Sequence, residues 1–129
     1  MKLPLRLLLI EDDDDDRNFF CTAVQQIDPA IECTTLSDGA AGLRHLEDPD
    51  KPLPDYIFLD LRMPGMSGRK LLKLIKDNPR TSHIPVMVYT TSTDVKDAEE
   101  LAKLGATHFT SKPSNPDEIY YVLSVILGE

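Results

Sequence analysis

Two kinds of segment alternate along this chain, and that alternation limits its fold more than any single motif. Short apolar runs of β-prone residues cover 5–10, 31–36, 56–59, 86–90 and 107–110. Between them lie longer stretches with apolar residues at helical spacing. Phe20, Ala23, Val24 and Ile27 make one such stripe; Leu71, Leu72 and Ile75 make another. Val95, Ala98, Leu101 and Ala102 make a third, which stops at Gly105, a residue suited to a helix C-terminus. The last helix has the clearest start: Asn115 as cap, Pro116 at the first helical position, Glu118 as the acid that reaches back, then Ile119, Val122, Leu123 and Ile126 on one face. The second helix, about 40–46, is the weakest because it carries Gly42. Successive parallel strands need crossovers, so the pattern predicts an α/β fold, a parallel sheet with helices on both faces. In open sheets of this kind, sites form beyond the carboxyl ends of the strands, where strand order reverses.

What stands at those ends is chemically pointed. The first strand runs into Glu11, Asp12 and Asp13, the third into Asp60, the fourth into Thr90 and Thr91, and the fifth leads to Lys112. Clustered carboxylates repel unless a cation neutralises them, and hard oxygen ligands suit Mg²⁺. An aspartate beside such a metal can attack a phosphoryl group and form an acyl phosphate. The metal, an ammonium and a hydroxyl then meet the new phosphoryl oxygens. Each piece alone has a plainer reading: the acidic run as a solvated helix start, Asp60 as a loop carboxylate or cap, Lys112 before Pro113 as a turn, Thr90 as strand propensity. Their joint placement at four strand ends favours the site.

Other motifs fail on detail. Asp12, Asp14 and Asp16 mimic the start of a calcium loop, but Arg17 and Ala23 stand where Gly and Glu are needed. The stretch 65–70 is no P-loop, because its lysine is not directly preceded by glycine. His45, His83 and His108 lack ligand spacing and read as structural or solvated. Cys21, on a helix, and Cys33, in a strand, show no metal spacing and read as buried free thiols.

The length of 129 residues suits one domain, and the formal charge is −8. Removing the six acids of 11–16 from the 22 leaves 16 against 14 basic residues, or −2, so the acidity is local. No basic stripe is present, which argues against a nucleic-acid partner. The apolar stretch 3–10 is too short for a signal peptide or span, is broken by Pro4 and Arg6, and runs into acids. A cytoplasmic protein without membrane association is expected.

Along essentially its whole length the chain resembles the receiver domains of two-component response regulators. Leu8-Leu9-Ile10-Glu11-Asp12-Asp13 is similar to the family's first strand and acidic pair. The segment from Ile57 through Asp60 to Met66-Ser67-Gly68 is similar to its phosphoacceptor strand and following loop. Ile84 to Thr91 is similar to the hydroxyl-bearing fourth strand, and Gly105 to Pro113 to the fifth strand and its lysine. The resemblance implies a (βα)5 doubly wound, flavodoxin-like sheet of order 2-1-3-4-5 and one receiver domain over 1–129 without an output domain. It implies Asp60 as phosphoacceptor, supplied by a sensor histidine kinase or phosphotransfer protein. Mg²⁺ would be bound by Asp12, Asp60 and the Arg62 backbone carbonyl, with Glu11 acting through water. Thr90, Thr91 and Lys112 would hold the phosphoryl group, and Phe109 would be the aromatic switch, its plain alternative being core packing.

By the same resemblance the protein is a phosphoacceptor that catalyses its own phosphorylation and slow dephosphorylation, not a separate enzyme. A downstream protein partner is expected on the face of the fourth helix, fifth strand and last helix, and a homodimer is allowed. Two positions depart from the pattern: Thr91 stands where many relatives have Ala, and Arg62 occupies the position that influences phosphate lifetime. An aspartyl-phosphate phosphatase is the alternative from another class, but Arg62 stands where such enzymes carry a second, acid–base Asp. A phosphorylation-independent docking module is the remaining alternative, weakened because every expected site residue is present.

Overall fold

The first strand, β1 (Arg6–Ile10), is apolar at every position after Arg6, as a strand covered on both faces must be. The computed structural model describes residues 5–90, 95–111 and 116–127, with 90, 95–97, 111, 116 and 126 described by backbone alone. In chain order β1 is followed by α1 (Asp14–Ile27), β2 (Glu32–Leu36), α2 (Gly39–Glu47), β3 (Tyr56–Asp60), α3 (Gly68–Asp77), β4 (Val86–Thr90), α4 (Val95–Lys103), β5 (His108–Ser111) and α5 (Pro116–Leu127). All pairings are parallel and the sheet order is β2-β1-β3-β4-β5, the doubly wound, flavodoxin-like arrangement expected.

Strand alternation divides the core in two. Leu8, Ile10, Ile57, Leu59, Val86 and Val88 face one way, against Leu46, Leu71, Leu72, Ile75 and Leu101 from α2, α3 and α4. Leu7, Leu9, Phe58 and Met87 face the other way, against Phe20, Ala23 and Val24 of α1 and Ile119 and Leu123 of α5. Phe20 anchors this second half by edge-on contacts with Phe58, ring centroids 5.0 Å apart, and with Tyr89 at 6.4 Å. The outer strand β2 is correspondingly polar, with sequence Glu-Cys-Thr-Thr-Leu.

Several sequence expectations shift slightly. β5 begins and ends one residue later than expected, and β1 begins at Arg6 instead of Leu5. In the third helical stripe Leu101 is buried, but Ala102 is exposed. Gly105 does end that region. Its φ is +108°, its N–H donates to the Ala102 carbonyl at 3.1 Å, and the Ala106 N–H donates to the Leu101 carbonyl at 2.9 Å. These are the two bonds of a Schellman cap, which needs the left-handed conformation glycine allows. Pro116 opens α5 as expected, while Asn115 lies outside the described residues. Cys21 and Cys33 are half-buried, not fully buried as the sequence suggested.

Candidate functional site

Strand order reverses between β1 and β3: β2 lies outside β1, while β4 and β5 continue beyond β3. The register pairs Ile10 with Leu59, so the residues after each, Glu11 and Asp60, emerge side by side. One oxygen from each of Glu11, Asp12 and Asp60 lies within 4.8 Å of the others. Glu11 is only 1% exposed and Asp60 4%, whereas Asp12 opens to solvent. The site is therefore a negatively charged cup with two walled-in carboxylates and one at the rim.

Local bonds hold the cup in shape. The Glu11 N–H donates to the Leu36 carbonyl at 3.0 Å, and its carbonyl accepts from Arg17 Nη1 at 2.7 Å. The Glu11 carboxylate accepts the Asp13 N–H at 3.2 Å. Asp13 itself turns away to cap α1, accepting the Asp16 N–H at 3.0 Å. Asp14, Asp15 and Asp16 then occupy the first turn of α1, where the helix dipole favours acids. The six-acid run thus has two roles: its first two residues serve the cup, and the rest start a helix. Arg17, whose guanidinium also pairs with Asp14, sets a cation behind the cup. That role is not visible in the sequence, where Arg17 serves only to exclude a calcium loop.

On the β3 side, Asp60 Oδ1 accepts the Arg62 N–H at 3.3 Å, and the Arg62 side chain is exposed at the mouth. The loop after Asp60 closes where the Gly68 N–H donates to the Leu61 carbonyl at 3.1 Å. A Cβ on Gly68 would sit 2.6 Å from the Asp60 carbonyl oxygen and 2.7 Å from Leu61 Cα. Both neighbours are backbone, so only glycine allows α3 to begin this close to the acceptor strand. Ser67 caps that helix by accepting the Lys70 N–H at 3.2 Å.

Thr91, Lys112 and the side chain of Thr90 lie outside the described residues. Phe109 sits on β5 opposite Val88, half-buried against the α2–α4 half of the core. Its other border is a shallow groove lined by His108, Thr110, Tyr121, Val122 and Val125. His83 and His108 are exposed, His45 is half-buried, and none joins the acidic group.

The donor set fits a small hard divalent cation. Three carboxylate oxygens at this spacing suit Mg²⁺ or Mn²⁺, which complete their coordination with water. No sulfur or imidazole competes within that group.

Known proteins share this chain's sequence pattern and fold. The family model for the response regulator receiver domain matches residues 7–124. Response regulator Rcp1 of Synechocystis is 30% identical over 127 residues, covering 95% of this chain and 86% of its own. A methylesterase/glutaminase of Koribacter versatilis is 37% identical over 85% of this chain, and PhoB of Klebsiella pneumoniae 28% over 95%. This chain spans only 29% and 51% of those two proteins' lengths. Among solved structures, the phosphorylated cyanobacterial phytochrome response regulator RcpA superposes with a TM-score of 0.88 at 28% identity, covering 95% of this chain and 91% of that one. The Mn²⁺-bound form of Rcp1 gives 0.85 at 31% with the same coverages. Fold, strand-end chemistry and sequence likeness converge: the chain belongs to the response regulator receiver domain family.

Proposed function

We propose that residues 1–129 form one receiver domain that accepts a phosphoryl group on Asp60 from a histidine kinase or phosphotransfer protein. Receiver domains as a family are phosphoacceptors of two-component signalling, and they bind Mg²⁺ or Mn²⁺ at an acidic pocket. The observation that carries the reading for this chain is the convergence of Glu11, Asp12 and Asp60 at the strand-order reversal, with Asp60 nearly buried.

The proposed metal ligands are Asp12, Asp60 and the Arg62 backbone carbonyl, with Glu11 acting through water. When bound, the cation neutralises the carboxylates and screens an incoming phosphoryl dianion. An Asp60 carboxylate oxygen attacks phosphorus as the bond to the donor imidazole breaks, leaving an acyl phosphate on Asp60 and a free histidine. In this proposal Lys112, Thr90 and Thr91 hold the phosphoryl oxygens. Arg62, exposed at the mouth with its N–H already bonded to Asp60, governs how readily water reaches the acyl phosphate.

Phe109 carries the state outward from Thr90, because β4 and β5 are adjacent and its ring borders both core and surface groove. The changed surface, on α4, β5 and α5, is read by a downstream protein. The phosphatase alternative lacks a residue for its proton transfer, since Arg62 holds that position. Among the described residues, no helix is long and apolar enough to cross a membrane.

Transfer of labelled phosphate from phosphorylated histidine kinases of the source organism tests the reading. Label should appear on this protein with Mg²⁺ and vanish with EDTA. Undiminished transfer in EDTA would remove the metal from the proposal.

A further inference from the structure

Cys21 and Cys33 lie on different elements, α1 and β2, yet their sulfurs are in contact at 3.5 Å. Both are free and half-buried, so small reagents reach them. We propose that Cys21 and Cys33 form a reversible disulfide when the protein meets a low-molecular-weight disulfide, tying α1 to the outer strand of the sheet.

The geometry favours closure. A disulfide needs sulfurs about 2.05 Å apart, so the pair must approach by roughly 1.5 Å. β2 is hydrogen-bonded into the sheet on one side only, by β1. An edge strand can give that much without disturbing a second ladder. Cys33 packs beside the α1–α5 half of the core, which holds its side chain toward α1. Within the pair the two thiols differ in character. Cys21 is lowered to about 7, chiefly by the hydrogen bond between the two thiols, while that same contact and burial push Cys33 up. Cys33 is packed against the core while Cys21 is not, so Cys21 meets the external disulfide first and Cys33 resolves it.

The exchange balances without any further reagent. The Cys21 thiolate attacks one sulfur of the external disulfide, expels one thiolate and forms a mixed disulfide. Cys33 then loses its proton to solvent, attacks the Cys21 sulfur and expels the second thiolate. Two electrons pass from the cysteine pair to the external disulfide, which leaves as two thiols. Excess thiol runs both steps backwards. The site lies apart from the acidic cup, and neither cysteine takes part in phosphoryl transfer.

The test uses the full chain, reduced and then equilibrated at neutral pH with defined ratios of glutathione to glutathione disulfide. Free thiols are trapped with N-ethylmaleimide before intact-mass and peptide mapping. Wild type should pass from two trapped thiols to none, with a mass about 2 Da below the reduced chain, and return on adding glutathione. Peptides containing Cys21 and Cys33 should be found joined. The single variant Cys33→Ser should instead stop at one bound glutathione, the trapped first step. Wild type carrying two glutathiones, or keeping two trappable thiols where Cys33→Ser is fully modified, overturns the proposal. The wild-type result decides the matter even if the variant folds poorly.

Discussion

Replacing Asp60 with Asn should stabilise the metal-free protein and remove most of its response to Mg²⁺. Asp60 and Glu11 are nearly buried, with carboxylate oxygens no more than 4.8 Å apart. Two unit charges at that distance repel by about 3–4 kcal/mol at an effective dielectric of about 20. Screening, and favourable contacts that Asp60 loses on substitution, reduce the net gain to roughly 1–2 kcal/mol. Asparagine keeps the shape and can still accept the Arg62 N–H bond, so no cavity offsets the relief. Urea unfolding followed by circular dichroism at neutral pH in EDTA should give a higher midpoint for Asp60→Asn, by about 0.5–1 M. At Mg²⁺ about 100-fold above its Kd, wild type should gain about 2.7 kcal/mol and the variant much less, reversing the order. A variant less stable than wild type in EDTA, or one gaining equally from Mg²⁺, would refute the reasoning.

Arg62→Ala should shorten the life of the acyl phosphate several-fold, a barrier change of about 1 kcal/mol, because water gains access at the mouth; loss of phosphate followed over time by intact mass checks this, and identical decay would show that the side chain plays no part. Gly68→Ala should cost about 2–3 kcal/mol in urea unfolding, since its Cβ would meet backbone atoms of Asp60 and Leu61 at 2.6 and 2.7 Å; an unchanged midpoint would mean the loop shifts freely. His45 is held below its ordinary value of 6.5 by burial and by Lys51, with Asp48 opposing. The unfolded chain therefore binds its proton first on acidification, so stability present above about pH 6.5 falls as pH drops toward the lower folded value. His45→Gln should flatten that part of the stability–pH curve, and an unaltered slope would assign it to other groups.

Most of the fold was legible because its signals are periodic. Three residues of the first helical stripe, Phe20, Ala23 and Val24, are buried as the spacing implied, and β1 reads apolar because it is covered on both faces, like β3 and β4. The acidic cluster was legible for a different reason: strand ends carry the chemistry in this topology, so Glu11, Asp12 and Asp60 could be grouped before any coordinates. What stayed hidden depends on contacts distant in sequence. Gly42 weakened the second helix on propensity, yet a Cβ there would meet Ile10 Cδ1 at 2.6 Å, so the residue serves packing against β1. Arg17 reaches back to the Glu11 carbonyl, a bond that helix periodicity cannot signal. The contact between Cys21 and Cys33 needs the angle of α1 across β2, which neither segment encodes alone. Asp13 to Asp16 show the converse, since their plainer reading as a helix start is the one the structure bears out.

The central claim, that Asp60 is the phosphoacceptor, is tested most directly by locating the phosphoryl group. Acetyl phosphate with Mg²⁺ should add one phosphoryl group, about 80 Da, to wild type and none to Asp60→Asn. Peptide fragmentation should place it on Asp60. Equal labelling of the variant, or a phosphoryl group found on another residue of the wild type, would contradict the account.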